Sequence, residues 1–208
     1  MRPGWIRSLD RRQAVSLVLV GVGSCLLVGS AVSVARGAIA RDGARTRWAE
    51  LEAQRSARGA RALVGQAEWV IALGSPVARL LIPKLDLDEV VVEGVGDAAL
   101  RAGPGHMTGS AVPGDRGNSV LSAHRDRHFR SLGELGVGDT LVTESDRGTV
   151  VWRVARVRVV TADAPVLHGS DSPMLTLTTC WPIRYFGPAP DRLIVEARPV
   201  VGGTAAGE

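Results

Sequence analysis

Three residues of this sequence have the types and settings from which acyl-transfer chemistry is built. Cys180 closes the run Leu175-Thr176-Leu177-Thr178-Thr179-Cys180, where apolar and hydroxylated residues alternate with the period of a half-buried β-strand. Trp181-Pro182 follows, and proline does not continue a sheet ladder. The thiol is therefore expected at the open end of a strand. Twelve residues on, Arg192 opens a second strand-like run, Leu193-Ile194-Val195-Glu196-Ala197. Upstream, Val120-Leu121-Ser122-Ala123 reads as a short strand ending at His124. A neighbouring imidazolium or guanidinium favours the thiolate, which is the nucleophilic form of cysteine. The imidazole can then return a proton to a leaving amine, and the guanidinium can stabilise the oxyanion of a tetrahedral intermediate. Cys180, His124 and Arg192 are thus the candidate nucleophile, general acid and oxyanion partner of a thiol acyl-transfer site.

Around these three, Thr179, beside the thiol, is a candidate for holding a substrate backbone. Ala123, before the histidine, and His106, in the loop Gly103-Pro104-Gly105-His106, are further candidates for the substrate rim. His124 and His128 are four residues apart, the spacing of a helical metal pair, but the segment His-Arg-Asp-Arg-His lacks the glutamate of a zinc protease and follows a strand. No metal is assigned. Arg125 and Asp126 flank the candidate histidine and receive no role. The sequence calls for no cofactor and carries no acid cluster that would mark a calcium site.

The elements that must position these residues follow from the pattern before and between them. Residues 14–35 are uncharged; as helix these 22 residues (35 − 14 + 1) reach about 33 Å, enough to span the hydrocarbon core. Residues 1–13 precede this transmembrane helix and carry Arg2, Arg7, Arg11 and Arg12 against a single acid, Asp10. Arginines follow the span as well, so the positive-inside count is nearly even. The N-terminus is assigned to the cytoplasm because the chemistry of the domain belongs outside. A cleaved signal peptide is the alternative, with Ala38-Ile39-Ala40 as a small-x-small site, and the length of the apolar run favours the span. Gly21, Cys25 and Gly29 make a small-residue stripe along it.

Residues 36–75 read as a juxtamembrane helical linker. Trp48 and Leu51 form one weak face, Gly59 interrupts, and Leu63, Ala67, Val70 and Ile71 recur at helical spacing before Gly74-Ser75-Pro76. Such a stalk either holds the following domain off the bilayer or packs on its side. The domain itself spans 76–200. Strands are expected at 79–83, 89–93, 120–123, 140–143, 149–160, 175–180 and 192–197, with Asp97 capping a single helical turn. Apolar parity switches near Ala155, which predicts a bulge or a break there. The loop 162–172 precedes the Cys180 strand. Short strands separated by turn signals argue an all-β domain, a closed or nearly closed barrel with short helical turns. Residues 201–208, rich in Gly and Ala, form the expected disordered tail.

Composition narrows the function classes. There are 25 Lys+Arg against 21 Asp+Glu, and the excess lies before residue 62. Basic residues are not interleaved with aromatics, so nucleic-acid binding is not indicated. Of the two cysteines, Cys25 lies in the apolar run and Cys180 in the domain, so no disulfide is expected. A lone thiol in an exported domain asks for a role, and catalysis supplies one.

Taken together, Ser122-Ala123-His124-Arg125-Asp126 followed by Phe129 and Leu132, Thr176-Leu177-Thr178-Thr179-Cys180, and Asp191-Arg192-Leu193-Ile194-Val195 resemble a sortase, a membrane-anchored cysteine transpeptidase. Gly103-Pro104-Gly105-His106 and Pro113-Gly114-Asp115-Arg116-Gly117-Asn118 are similar to the loops that lead into the family's histidine. The resemblance covers residues 76–199. The spacing of 56 residues (180 − 124) and the gap of 12 (192 − 180) suit it. Cys180-Trp181-Pro182 and Gly187-Pro188-Ala189-Pro190 look most like class D sortases and the related Gram-negative group. Ala123 departs from the glycine that many members carry before the histidine.

The resemblance implies an eight-stranded β-barrel. It also implies cleavage within an LPXTG-like sorting signal of a substrate protein, a thioacyl intermediate on Cys180, and transfer to an amine of peptidoglycan or a pilin-type lysine. The implied location is the cytoplasmic membrane, single-pass, with the catalytic domain extracytoplasmic. Two alternatives stand beside this reading. One is an L,D-transpeptidase-like cell-wall enzyme, suggested by His168-Gly169-Ser170. The other is a non-catalytic, membrane-tethered binding domain.

Overall fold

The structure, a computed structural model, describes residues 11–58 and 71–200. Helix α1 runs Arg11–Arg58. Eight strands follow: β1 (Pro76–Ile82), β2 (Leu87–Glu93), β3 (Gly105–His106), β4 (Asn118–Ser122), β5 (Thr140–Ser145), β6 (Gly148–Thr161), β7 (Met174–Trp181) and β8 (Asp191–Pro199). A short helix, α2 (Asp97–Ala102), lies between β2 and β3. The expected face at Leu63, Ala67 and Val70, the break at Gly59 and the tail at 201–208 lie outside the described residues. The chain divides into two compact units, one through Ile39 and one from Ala40.

In the first unit, α1 carries apolar side chains exposed on all sides, Val18, Leu19, Leu26 and Leu27 among them. The helix is long and apolar enough to cross a membrane.

The second unit is built on a barrel that closes in the order β1-β2-β3-β4-β7-β8-β6-β5. Closure gives every strand a neighbour on both sides, although the two-residue β3 pairs only the ends of β2 and β4. Alternation along each strand sends one set of side chains inward. Leu80, Ile82, Val91, Leu121, Leu141, Trp152, Leu175, Leu177, Leu193 and Val195 meet there. Each fully buried aliphatic side chain contributes roughly 1.5–3 kcal/mol relative to exposure. The fully buried Trp152 indole is satisfied, because its Nε1 donates to Thr143 Oγ1 at 2.7 Å.

The expected bulge is present: the β6–β8 register shifts between Val154 and Arg156. Trp152 and Val154 point inward before the shift and Val157 after it, while Arg156 and Arg158 stay outside. The stalk packs on the side of the domain: Ala44 and Trp48 are buried against Val90, Val92 and Ala99.

Three expectations need correction. Gly105 and His106 form a strand, not a loop, bridging β2 in parallel and β4 in antiparallel. The glycines of Gly-Pro-Gly serve close backbone approach: a Cβ at Gly105 would collide with the Gly94 carbonyl, and one at Gly103 with that of Val90. Gly96, not Asp97, occupies the cap position of α2, and Asp97 is the first helical residue. Strand β4 stops at Ser122, so His124 stands two residues beyond its end.

Candidate active site

The positions of the three candidate residues follow from two registers. β4 and β7 run parallel with a constant offset, Asn118 beside Met174 through Ser122 beside Thr178. That offset is 56 (178 − 122), and extending it two residues brings His124 beside Cys180 (180 − 124 = 56). The extension is held by hydrogen bonds past the strand end: Ala123 N donates to Thr178 O at 3.2 Å, and Thr179 Oγ1 donates to Ala123 O at 2.7 Å. A tight turn follows His124, whose carbonyl accepts from the amides of Arg127 and Phe129. β7 and β8 are antiparallel, and Cys180 is paired directly with Arg192. Residues opposite one another across such a pair share a face, with Cβ atoms about 5 Å apart.

That face is the outer one. Leu175 and Leu177 fill the barrel, so Thr176, Thr178 and Cys180 point away from it. There the sheet floors a groove of about 520 Å³. Cys180, His124 and Arg192 all line it, with Ser122, Ala123 and Thr178 beside them. Val95, Leu100, Met107 and residues 164–167 also line it. All three candidate side chains are half-buried. Cys180 is unpaired, and Arg192 is steadied by its Nε donating to Ala162 O at 3.0 Å.

Two of the candidate substrate contacts lie elsewhere. Thr179 is 1% exposed, and its hydroxyl is spent on the Ala123 carbonyl. His106 is 3% exposed and does not line the groove. Its Nδ1 meets Glu93 Oε2 at 2.6 Å and its Nε2 meets Ala111 O at 2.9 Å, while Thr108 donates to the same glutamate. This buried network lies next in the chain to Met107, which lines the groove. Thr178 is the residue sequence reasoning passed over: it lines the groove, and its buried hydroxyl has no partner among the described residues. Strand parity was the available signal, since residues two apart share a face.

The other histidines are also outside the groove. His128 is buried with Nδ1 3.1 Å from Glu89 Oε1, and His168 is exposed with Nδ1 near Val166 O. Among the described residues no three His, Cys, Asp or Glu side chains are grouped as a metal ion would need.

A sortase-domain family model matches residues 80–200, from β1 to the end of β8. The chain belongs to the sortase family. It is 36% identical over 123 residues to Sortase D of Bacillus subtilis, an alignment covering 58% of this chain and 62% of the relative. The chain therefore spans less than two thirds of that relative's length. The solved catalytic domain of SrtD from Bacillus anthracis is 38% identical, with a TM-score of 0.54, covering 67% of this chain and 96% of that one. A Sortase D5 transpeptidase from Clostridium perfringens, 22% identical, shares the fold with a TM-score of 0.61 over 80% of this chain and 99% of its own. Within the family this sortase is class D-like.

Proposed function

We propose that this sortase is a membrane-anchored cysteine transpeptidase acting on an LPXTG-like sorting signal. The observation that carries the reading is the single groove lined by Cys180, His124 and Arg192. Cys180 Sγ, as thiolate, attacks the carbonyl carbon of the scissile peptide bond. The resulting oxyanion is stabilised by the Arg192 guanidinium, whose loss costs about 3–4 kcal/mol of barrier for a donor of this kind. Collapse breaks the C–N bond, His124 gives its proton to the departing amine, and a thioester remains on Cys180. An acceptor amine, from peptidoglycan or a pilin-type lysine, then attacks the thioester. His124 takes the amine's proton, and the thiolate leaves as the new amide forms.

Every reacting group in this scheme is a side chain of the protein, so no step of it is routed through a cofactor. Helix α1 is read as the single-pass anchor in the cytoplasmic membrane, with the N-terminus inside and the barrel outside.

The test is turnover of a sorting-signal peptide with and without an added amine. The parent chain should release the C-terminal fragment and form the amide. Cys180→Ala and His124→Ala should do neither. Equal turnover in Cys180→Ala would overturn the reading and leave a tethered binding domain.

A further inference from the structure

Arg125 is covalently next to His124, yet its guanidinium reaches the connection between β7 and β8. Nη1 donates to the carbonyl of Pro182 at 3.1 Å and Nη2 to the carbonyl of Gly187 at 2.6 Å. The same group lies over the Tyr185 ring, 5.6 Å from its centroid. Pro182 is two residues past Cys180, and Gly187 is five before Arg192. Residues 182–190 have no strand partner, and the loop carries a fully exposed Phe186. A segment without ladder hydrogen bonds and exposed over residues 184–188 takes much of its order from side-chain clamps of this kind. Among the described residues Arg125 makes no ion pair, so its charge is directed at backbone carbonyls and a ring.

We infer that Arg125 is a positioning residue for the transpeptidation proposed above: one guanidinium ties the peptide that carries His124 to the connection between the strands that carry Cys180 and Arg192. The inference rests on the reading that those three act together. Arginine suits the task because its planar fork spans two carbonyls and stacks on a ring at once, whereas a lysine ammonium is a single point donor. Without the clamp, the turn bearing His124 and the loop after Cys180 move independently, and the sulfur–imidazole geometry loosens. Misplacement of reacting groups by about 1 Å costs on the order of 100-fold in rate.

The experiment uses the full chain carrying Cys25→Ser, so that Cys180 is the remaining thiol. The rate of Cys180 alkylation by iodoacetamide is followed against pH without substrate, and kcat and KM are measured with the peptide. Arg125→Ala should shift the midpoint of the alkylation profile and lower kcat/KM about 10- to 100-fold, mainly in kcat. Arg125→Lys should recover only part of this, and it carries the same test should the alanine variant fail to fold. An unchanged alkylation profile would overturn the proposal, whether or not activity falls, because a fall alone would assign Arg125 to substrate contact or loop stability. The alkylation arm needs no turnover, so it reads the clamp even if the peptide proves not to be a substrate.

Discussion

At the residue scale, the groove divides labour between adjacent threonines. Thr178 faces the groove with a free hydroxyl, while Thr179 faces inward and holds the Ala123 carbonyl one residue before His124. Thr179→Val should therefore lower stability by about 1–3 kcal/mol, the cost of leaving a buried carbonyl short of a donor. It should also lower kcat/KM by loosening the His124 turn, which denaturation and steady-state kinetics on the same preparation would show together. Arg192 sits directly opposite Cys180 across the β7–β8 ladder. Arg192→Ala should lower kcat about 100- to 1,000-fold with a smaller change in KM, since the oxyanion exists only in the transition state. Cys180, His124 and Arg192 were legible as candidates because each stands at the end of a strand-like run. The substrate rim was less so: Thr179 was singled out for adjacency to the thiol, although adjacency on a strand means the opposite face. His106 was singled out for its loop, but its ring fills a buried polar network with Glu93.

At the element scale, the strands that hold the site were readable because β7 alternates apolar and hydroxylated residues and β8 opens on the β-branched, apolar run Leu193-Ile194-Val195, and even the β6 bulge showed as a change of parity at Ala155. β3 was not, because Gly-Pro-Gly reads as punctuation when the glycines serve backbone contact instead. The packing of α1 was half legible: side-packing was one of two expectations and Trp48 lay on the face read for it, but Ala44 and Trp48 alone make no conspicuous apolar stripe. Trp48 is 4% exposed, and its Nε1 has no partner among the described residues. Trp48→Ala should cost about 3–5 kcal/mol, whereas Trp48→Phe should cost far less, since it removes an unsatisfied donor. Chemical denaturation of the two variants separates these outcomes. β1 and β2 are further joined by Arg79, which donates to both carboxylate oxygens of Asp88 at 2.8 and 2.7 Å. That hydrogen-bonded guanidinium holds the Asp88 carboxyl below its ordinary value. A depressed carboxyl stabilises the fold above its unfolded pKa of about 4 and loses that contribution as pH falls through the lower folded value. Asp88→Asn should remove the contribution, less than about 1 kcal/mol for so exposed a pair, and flatten the fall in stability below pH ~4 relative to the parent.

At the scale of the whole molecule, an apolar helix precedes a barrel whose outer face carries the candidate site. In intact cells a membrane-impermeant maleimide should label Cys180 and leave Cys25 unmodified until the membrane is dissolved; the reverse pattern would invert the proposed topology. The two thiols, both unpaired, make this a direct reading of sidedness. The central claim is that sulfur, imidazole and guanidinium converge on one acyl group. Intact-mass spectrometry of the full chain after brief exposure to a sorting-signal peptide without acceptor amine tests it most directly. The account predicts an added acyl mass on Cys180 that is released by hydroxylamine and is missing in Cys180→Ala. Cleavage of the peptide with no adduct on Cys180, or an adduct that persists in Cys180→Ala, would contradict it.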